Sequence, residues 1–440
     1  MIKKSHPPRI FFGWLTVMTA GICNLWGSGF ITNGFSAMFK PIAADLGLSR
    51  AVTSVAASIG RFEGGIEAPL TGWVTDRYGP KWIMLFGCFL IGLGLILMNF
   101  INSLWAFYVV WGVIAATGVN IGLSIPINKA ISNWFVKKRG LALSIRAVFF
   151  GFATIAVMPL VTYLTGTVGW RTTCVIGGIV MWIVAIPLIL LFVRSQRPEY
   201  YGLLPDGAVA EAKSEKDNGQ VIEKGVEYAA SVQEIEFTLR QAVRTPSYWL
   251  LASVFSVYSV VTTPFMVHGI PMLTDMGIEP VKASFMFSIA GMTTIPTRLF
   301  AGYLADRVKK GQIRFILMAC SLICAAGVIG FLLNQTVAMA QIMLISFYIS
   351  FTSNTVLHPV INARYFGRKS LGSISGITTT LMTPFAVGAP VFVGWIFDRT
   401  GSYITALQLT AVIAIVISVL MLLARPAKPP AKVTDVRKFL

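Results

Sequence analysis

Arg298 lies in the apolar stretch 280–305, eight residues before Asp306, or roughly 12 Å from its polar end at 1.5 Å per residue. A basic side chain near the middle of a bilayer-spanning helix costs about 2.5–3.5 kcal/mol on insertion scales, so it usually faces a polar cavity and marks an ion or substrate path. Snorkelling to the headgroups is hard from that depth, and the guanidinium is a planar fork of donors matched to a carboxylate. Arg146 stands eight residues after Lys138, at the same depth. It is either the second arm of an anion clamp or the partner of a buried carboxylate such as Glu67. Arg61, Glu63 and Glu67 share the stretch 50–75. The two glutamates, four apart, share a helix face, whereas Arg61 is turned about 200° from Glu63, so the three are not one cluster. Counting back from Asp76, Glu67 is roughly 13 Å and Arg61 roughly 22 Å from that end. Glu67, with Glu63 beside it, is a candidate proton carrier; the alternative is a static salt bridge between helices.

The elements that must hold these groups are membrane spans. Of 440 residues 55% are hydrophobic and 12% charged, against roughly 25% charged in soluble domains. About 20 apolar residues per span gives twelve candidates, at 11–33, 50–75, 81–99, 104–127, 140–164, 171–193, 247–270, 280–305, 313–333, 337–360, 371–396 and 403–424. With both termini cytoplasmic, 27 of the 36 Lys and Arg fall in inside segments, as the positive-inside rule requires. That rule accounts for the net charge of +18, so no nucleic-acid partner is expected. Cys23, Cys88, Cys174, Cys320 and Cys324 all lie in apolar spans without metal-ligand spacing, so neither disulfides nor a metal are expected. The basic Met1–Arg9 segment precedes a long span with no small-residue cleavage site, which reads as a retained helix.

The one long polar stretch, 194–244, divides the spans six and six. It reads as a cytoplasmic loop between an N-terminal bundle, 1–193, and a C-terminal bundle, 245–440. Its first part reads as mobile, and Glu236–Arg244 as a short amphipathic helix at the interface. Two internal repeats support the division. Gly72-Trp73-Val74-Thr75-Asp76-Arg77 matches Gly302-Tyr303-Leu304-Ala305-Asp306-Arg307, and Phe135-Val136-Lys137-Lys138 matches Phe366-Gly367-Arg368-Lys369, at nearly one offset.

The pattern Gly72-x-x-x-Asp76-Arg77-x-Gly79-x-Lys81, its partial copy at Gly302–Arg307, the 6+6 layout and the basic central loop together resemble the major facilitator superfamily across nearly the whole chain. Arg139-Gly140-Leu141-Ala142, Arg197-Pro198-Glu199-Tyr200-Tyr201-Gly202-Leu203-Leu204-Pro205-Asp206-Gly207, Tyr365-Phe366-Gly367 and the span 8 arginine are similar to its bacterial monocarboxylate-porter and oxalate/formate-antiporter branch. The resemblance implies an all-α membrane protein of twelve helices in two pseudo-symmetric six-helix bundles. It also implies transport by alternating access, with Arg298 on a substrate carboxylate. Asp76 with Arg77 would reach the start of span 11, and Asp306 with Arg307 the start of span 5 at Arg139, as gating groups. Spans 1, 4, 7 and 10 line the path in this fold, so Asn24, Asn33, Asn120, Tyr258, Tyr348 and Asn354 are candidate neutral substrate contacts, or else packing residues. Spans 5 and 8 are neighbours in it, which would set Arg146 beside Arg298.

The chain departs from the branch twice. Thr294 stands where proton-coupled monocarboxylate porters carry an aspartate, and Leu371–Phe397 lacks the lysine of the oxalate carriers. Nitrate porters use arginines in spans 2 and 8, but shifting Arg298 back by 230 lands on Ala68, not Arg61, and no glycine-rich nitrate signature is present. Without a nucleotide loop, metal pattern or catalytic triad, an enzyme is disfavoured and no cofactor is expected. The expectation is a monomeric inner-membrane carrier of a small organic anion, a monocarboxylate moved with a proton, in which Arg146 turns toward Glu67. The alternatives are exchange of dicarboxylates against a counter-anion, efflux of amphipathic compounds, and a non-transporting sensor.

Overall fold

The computed structural model describes residues 11–48, 50–208, 228 and 235–427. The Met1–Arg9 segment and the stretch around Glu211–Gln220 lie outside them. All regular structure among the described residues is helical. It forms twelve rods, here α1 to α12. Eight uninterrupted helical runs are long and apolar enough to cross a membrane. One of these, Arg139–Phe192, is two rods, α5 and α6, because Gly169 (φ 81°) turns the backbone back on itself where a side chain would strain it. The other three rods are not among those eight runs. In α1, a π-helical turn at Gly29–Asn33 joins Phe12–Ser28 to Gly34–Asp45. α2, Arg50–Tyr78, carries Arg61, Glu63 and Glu67. α8 is Pro280–Met292 followed by Thr294–Arg307, broken at Thr293 because Pro296 has no N–H for the Met292 carbonyl.

The remaining rods are α3 (Pro80–Leu97), α4 (Leu104–Trp134), α7 (Pro246–Asp275), α9 (Ile313–Leu333), α10 (Val337–Phe366), α11 (Leu371–Thr400) and α12 (Ile404–Leu423). Several start on a proline at the first helical position or on a hydroxyl cap, as where Thr245 accepts from the Tyr248 N–H at 3.3 Å ahead of Pro246. Within a bundle, small residues bring the rods together. A Cβ on Gly87 of α3 would stand 2.3 Å from the Gly122 Cα of α4. α4 breaks at Ser124 (φ −109°, ψ −95°), just ahead of Pro126, and this frees the Leu123 carbonyl from its helical partner.

The segment before α7 does not form the amphipathic interfacial helix that its sequence suggests. Only one turn, Leu239–Ala242, is helical, boxed by Thr238 and Gln241. Phe237 is buried, and its N–H donates to the Phe366 carbonyl at 2.9 Å, so the strand-like 235–238 segment is tied to the end of α10 before a helix can start.

Candidate substrate path

Two equivalent locks close the face that carries the basic loops. The Asp76 carboxylate, at the end of α2, accepts from Gly372 N (3.0 Å), Ser373 N (2.7 Å) and Ser373 Oγ (2.8 Å) at the buried N-terminus of α11, which its own Ser370 side chain does not cap. Asp306, at the end of α8, accepts from Gly140 N (2.7 Å) and Leu141 N (2.8 Å) at the start of α5. Free N–H groups and the helix dipole both favour a carboxylate there. The contact is backbone-close: a Cβ on Gly72 would lie 2.1 Å from the Gly372 carbonyl, and one on Gly302 2.4 Å from that of Gly140.

The cations of the locks are not the arginines of the Asp-Arg motifs. Arg77 is exposed over the Trp73 ring (5.2 Å) and Arg307 over Tyr303 (4.3 Å). Asp76 is paired instead with Lys129 of α4 (2.6 Å), which also donates to the carbonyls of Arg368 and of Lys369 (2.8 Å). Asp306 faces Arg364 of α10 at 3.7 Å. Arg139 is buried and donates to the carbonyls of Phe135 (3.0 Å) and Ser132 (3.4 Å), closing the end of α4.

On the side of this seal away from the basic loops lies a cavity of about 470 Å³ between α2, α4, α7, α10 and α11. Arg61, Glu67, Asn120, Ser124, Thr262 and Thr383 are among its lining residues. Asn120 also donates to the Gly60 carbonyl at 2.9 Å. Of the other neutral candidates, Asn24 donates to the Leu123 carbonyl at 3.4 Å, Asn33 to Thr154 at 3.1 Å, and Tyr258 is hydrogen-bonded to Ser350 at 3.0 Å. Tyr348 packs on Phe287, and Asn354 is buried. Of these neutral candidates only Asn120 lines the cavity. The threonines of α7 and α11 that do line it had no sequence signal, since threonine is also an ordinary helix-packing residue.

Arg298 and Arg146 lie beside the cavity rather than in its lining. Arg298 is buried, donates from Nη1 to the Ala147 carbonyl at 2.8 Å, and lies 5.8 Å from the Phe150 ring centre. Gly151 leaves it room, for a Cβ there would stand 2.9 Å from Nη1. Arg146 donates from Nη2 to the Leu123 carbonyl at 2.8 Å, the group freed by the break in α4. Each arginine keeps a buried Nε with no acceptor. Their charges lie close enough to act on each other, and neither meets a carboxylate among the described residues. The expected turn of Arg146 toward Glu67 is therefore not made, because the Leu123 carbonyl takes its fork first.

Glu67 and Glu63 are joined by a residue that the sequence reading passed over. Thr117 Oγ1 of α4 lies 2.7 Å from Glu63 Oε1 and 2.7 Å from Glu67 Oε1. A hydroxyl has one proton to give, so both contacts are hydrogen bonds only when one carboxyl is itself protonated. The outer oxygens, Glu63 Oε2 and Glu67 Oε2, are buried without a partner.

This is the architecture of a polytopic carrier: two six-helix bundles sealed at one face around a central cavity. A sequence model of the Major Facilitator Superfamily matches residues 18–389, and the chain belongs to that family. Among solved structures, it is similar to the proton:xylose symporter XylE bound to 6-bromo-6-deoxy-D-glucose (TM-score 0.68, 13% identity, 94% of each chain covered). It is also similar to FucP in the outward conformation (TM-score 0.66, 15% identity, 94% of this chain and 99% of that one). Relatives by sequence include monocarboxylate transporter 12 of Xenopus laevis, 24% identical over 95% of this chain and 90% of that protein. Another is the oxalate:formate antiporter of Oxalobacter formigenes, 22% identical over 91% and 90%. The protein is a multi-pass membrane transporter, not an enzyme.

Proposed function

We propose that the protein is an inner-membrane carrier of a small organic anion, a monocarboxylate moved with a proton by alternating access between bundles 1–193 and 245–440, with both termini and the 194–244 loop cytoplasmic. The observation that carries the anion part of this reading is the pair of guanidiniums, Arg298 and Arg146, held beside the cavity with no carboxylate partner among the described residues. Two desolvated charges with unused donors are costly unless an anion meets them. With the basic face taken as cytoplasmic, the sealed locks put the molecule in an outward-facing state. Asp76 and Asp306 are then gating groups that release when the carrier turns inward. The Glu63–Thr117–Glu67 cluster carries the coupling proton.

A second reading, exchange of a dicarboxylate, is favoured by one observation: Arg146 is not neutralised by Glu67, so the clamp holds two positive charges. Uptake of labelled lactate, pyruvate, oxalate, formate and nitrate into proteoliposomes, with and without a pH gradient, separates the two readings. Arg298→Ala should lower uptake at least ~30-fold, the scale of truncating one member of a buried charge pair, and Arg298→Lys should recover little of it, because an ammonium lacks the fork. Normal uptake by a stably inserted Arg298→Ala protein would sink the anion reading.

A further inference from the structure

Along α2, Gly65, Ala68 and Gly72 share one face and meet α11 backbone-close. A Cβ on Gly65 would lie 2.1 Å from Thr383 Oγ1, and one on Gly376 of α11 2.3 Å from the Ala68 carbonyl. Arg61 continues that face one turn beyond the last contact, where α2 and α11 part. It is exposed there and lines the cavity with Thr383, Ala386 and Val387. Among the described lining residues it is the one cation; the one anion, Glu67, has an oxygen turned to Thr117.

Four of the five threonines of the wall do not compete with it. Thr262, Thr263, Thr379 and Thr383 each donate their hydroxyl proton to a carbonyl of their own helix, at 2.7–3.2 Å. They present acceptors to the cavity, and an entering anion needs donors. Arg298, the donor of the proposed clamp, lies outside the lining.

We propose that Arg61 is a separate capture site for the carboxylate group of the entering anion, occupied before the anion reaches Arg298 and Arg146. This rests on the anion-carrier reading above. An exposed charge at the wall of a water-filled cavity concentrates counter-ions and raises their rate of arrival, in a way that salt screens. Its loss is therefore felt in KM and not in the turnover that follows.

The test is initial uptake of labelled lactate and oxalate from the outer side of oriented proteoliposomes, over a range of ionic strength. Arg61→Gln should raise KM about tenfold, leave kcat within twofold, and flatten the salt dependence of kcat/KM; Arg61→Lys should restore KM to within about threefold of wild type. Val387→Asp, which sets a carboxylate on the same wall and leaves Arg61 in place, should raise KM as well. Unchanged KM and salt slope in both Arg61→Gln and Val387→Asp would overturn the capture site, as would loss of uptake in Arg61→Gln at every substrate concentration. If wild-type protein takes up none of the anions, it is the carrier reading itself that fails.

Discussion

Arg146 shows what a residue count along a helix can and cannot give. Eight residues from a polar end fix its depth, and that depth is shared with Arg298 and Glu67, but the count says nothing of how a neighbouring helix is rotated. The partner of Arg146 is set by something off the motif, the carbonyl that the break at Ser124 frees at Leu123. Because Arg146 lies within electrostatic reach of Arg298 and makes no pair with Glu67, Arg146→Ala should weaken oxalate uptake about tenfold or more while leaving lactate within about threefold, a hydrogen bond to a charged group being worth about 1.5–3 kcal/mol. Equal loss for both substrates in side-by-side assays would count against a divided clamp. The carboxylates make a companion case. Glu67→Gln should abolish accumulation driven by a pH gradient while counterflow exchange persists. Full proton-driven accumulation by that variant would make Glu67 structural. Thr117 was invisible to sequence reasoning because a lone threonine in an apolar span has no signature, although it joins the two acids.

Among the elements, the α2–α11 and α5–α8 seams were the most legible. The repeated Gly-x-x-x-Asp-Arg unit marked both of them through the family resemblance it carries, and the structure adds the reason for its glycine, the close approach of the two helices. The motif misled in one respect: its arginines lie over aromatic rings, and the lock cations come from α4 and α10. Lys129 sits in no repeat, so only the packing of a third helix could reveal it. The seam can be opened from either of its parts. Gly72→Ala would force the Gly372 carbonyl away, and Asp76→Asn would leave Lys129 without its anion. Both should shift the population toward the inward-facing form, raising the labelling rate of a cysteine placed at Ser375 by about tenfold. A labelling rate that stays at the wild-type value in both would show that the seam does not hold the gate.

For the molecule as a whole, composition and span count point to the twelve-helix layout, but they also suggest a mobile first part of the central loop, which the structure corrects: Glu199 and Asp206 are bonded to the bundles. In the described residues it is a brace. Glu199 pairs with Arg368 at 3.1 Å, and Asp206 accepts the N–H groups of Val136, Lys137 and Lys138. Glu236 pairs with Arg197 (2.8 Å) and accepts from Lys369 N (2.6 Å). Gly367 (φ 80°) is needed at that junction, since a Cβ would lie 2.5 Å from the Ile235 carbonyl. Burial pushes the Glu236 carboxyl up, but Arg197, Arg368, the Lys369 N–H and Lys129 outweigh it, so its pKa is lowered. A lowered folded-state value means that the stabilisation is complete above the unfolded carboxylate pKa, about 4.3, and is lost as pH falls through the folded one. Glu236→Gln should lower the melting midpoint at pH 7 by about 2–4 °C and flatten its decline below about pH 5. Parallel pH profiles of the two proteins in detergent would rule the brace out as a source of acid sensitivity.

Lys129 gives the transport cycle one further property. All three of its N–H groups are spent on oxygens, one on Asp76 and two on carbonyls of the opposite bundle. When the basic face opens, that ammonium and those oxygens lose one another and must be hydrated before the state can persist. In the proposed cycle, opening would then be an uptake of water as much as a parting of helices, and the balance between the two forms of the carrier would shift with the osmotic pressure of its surroundings.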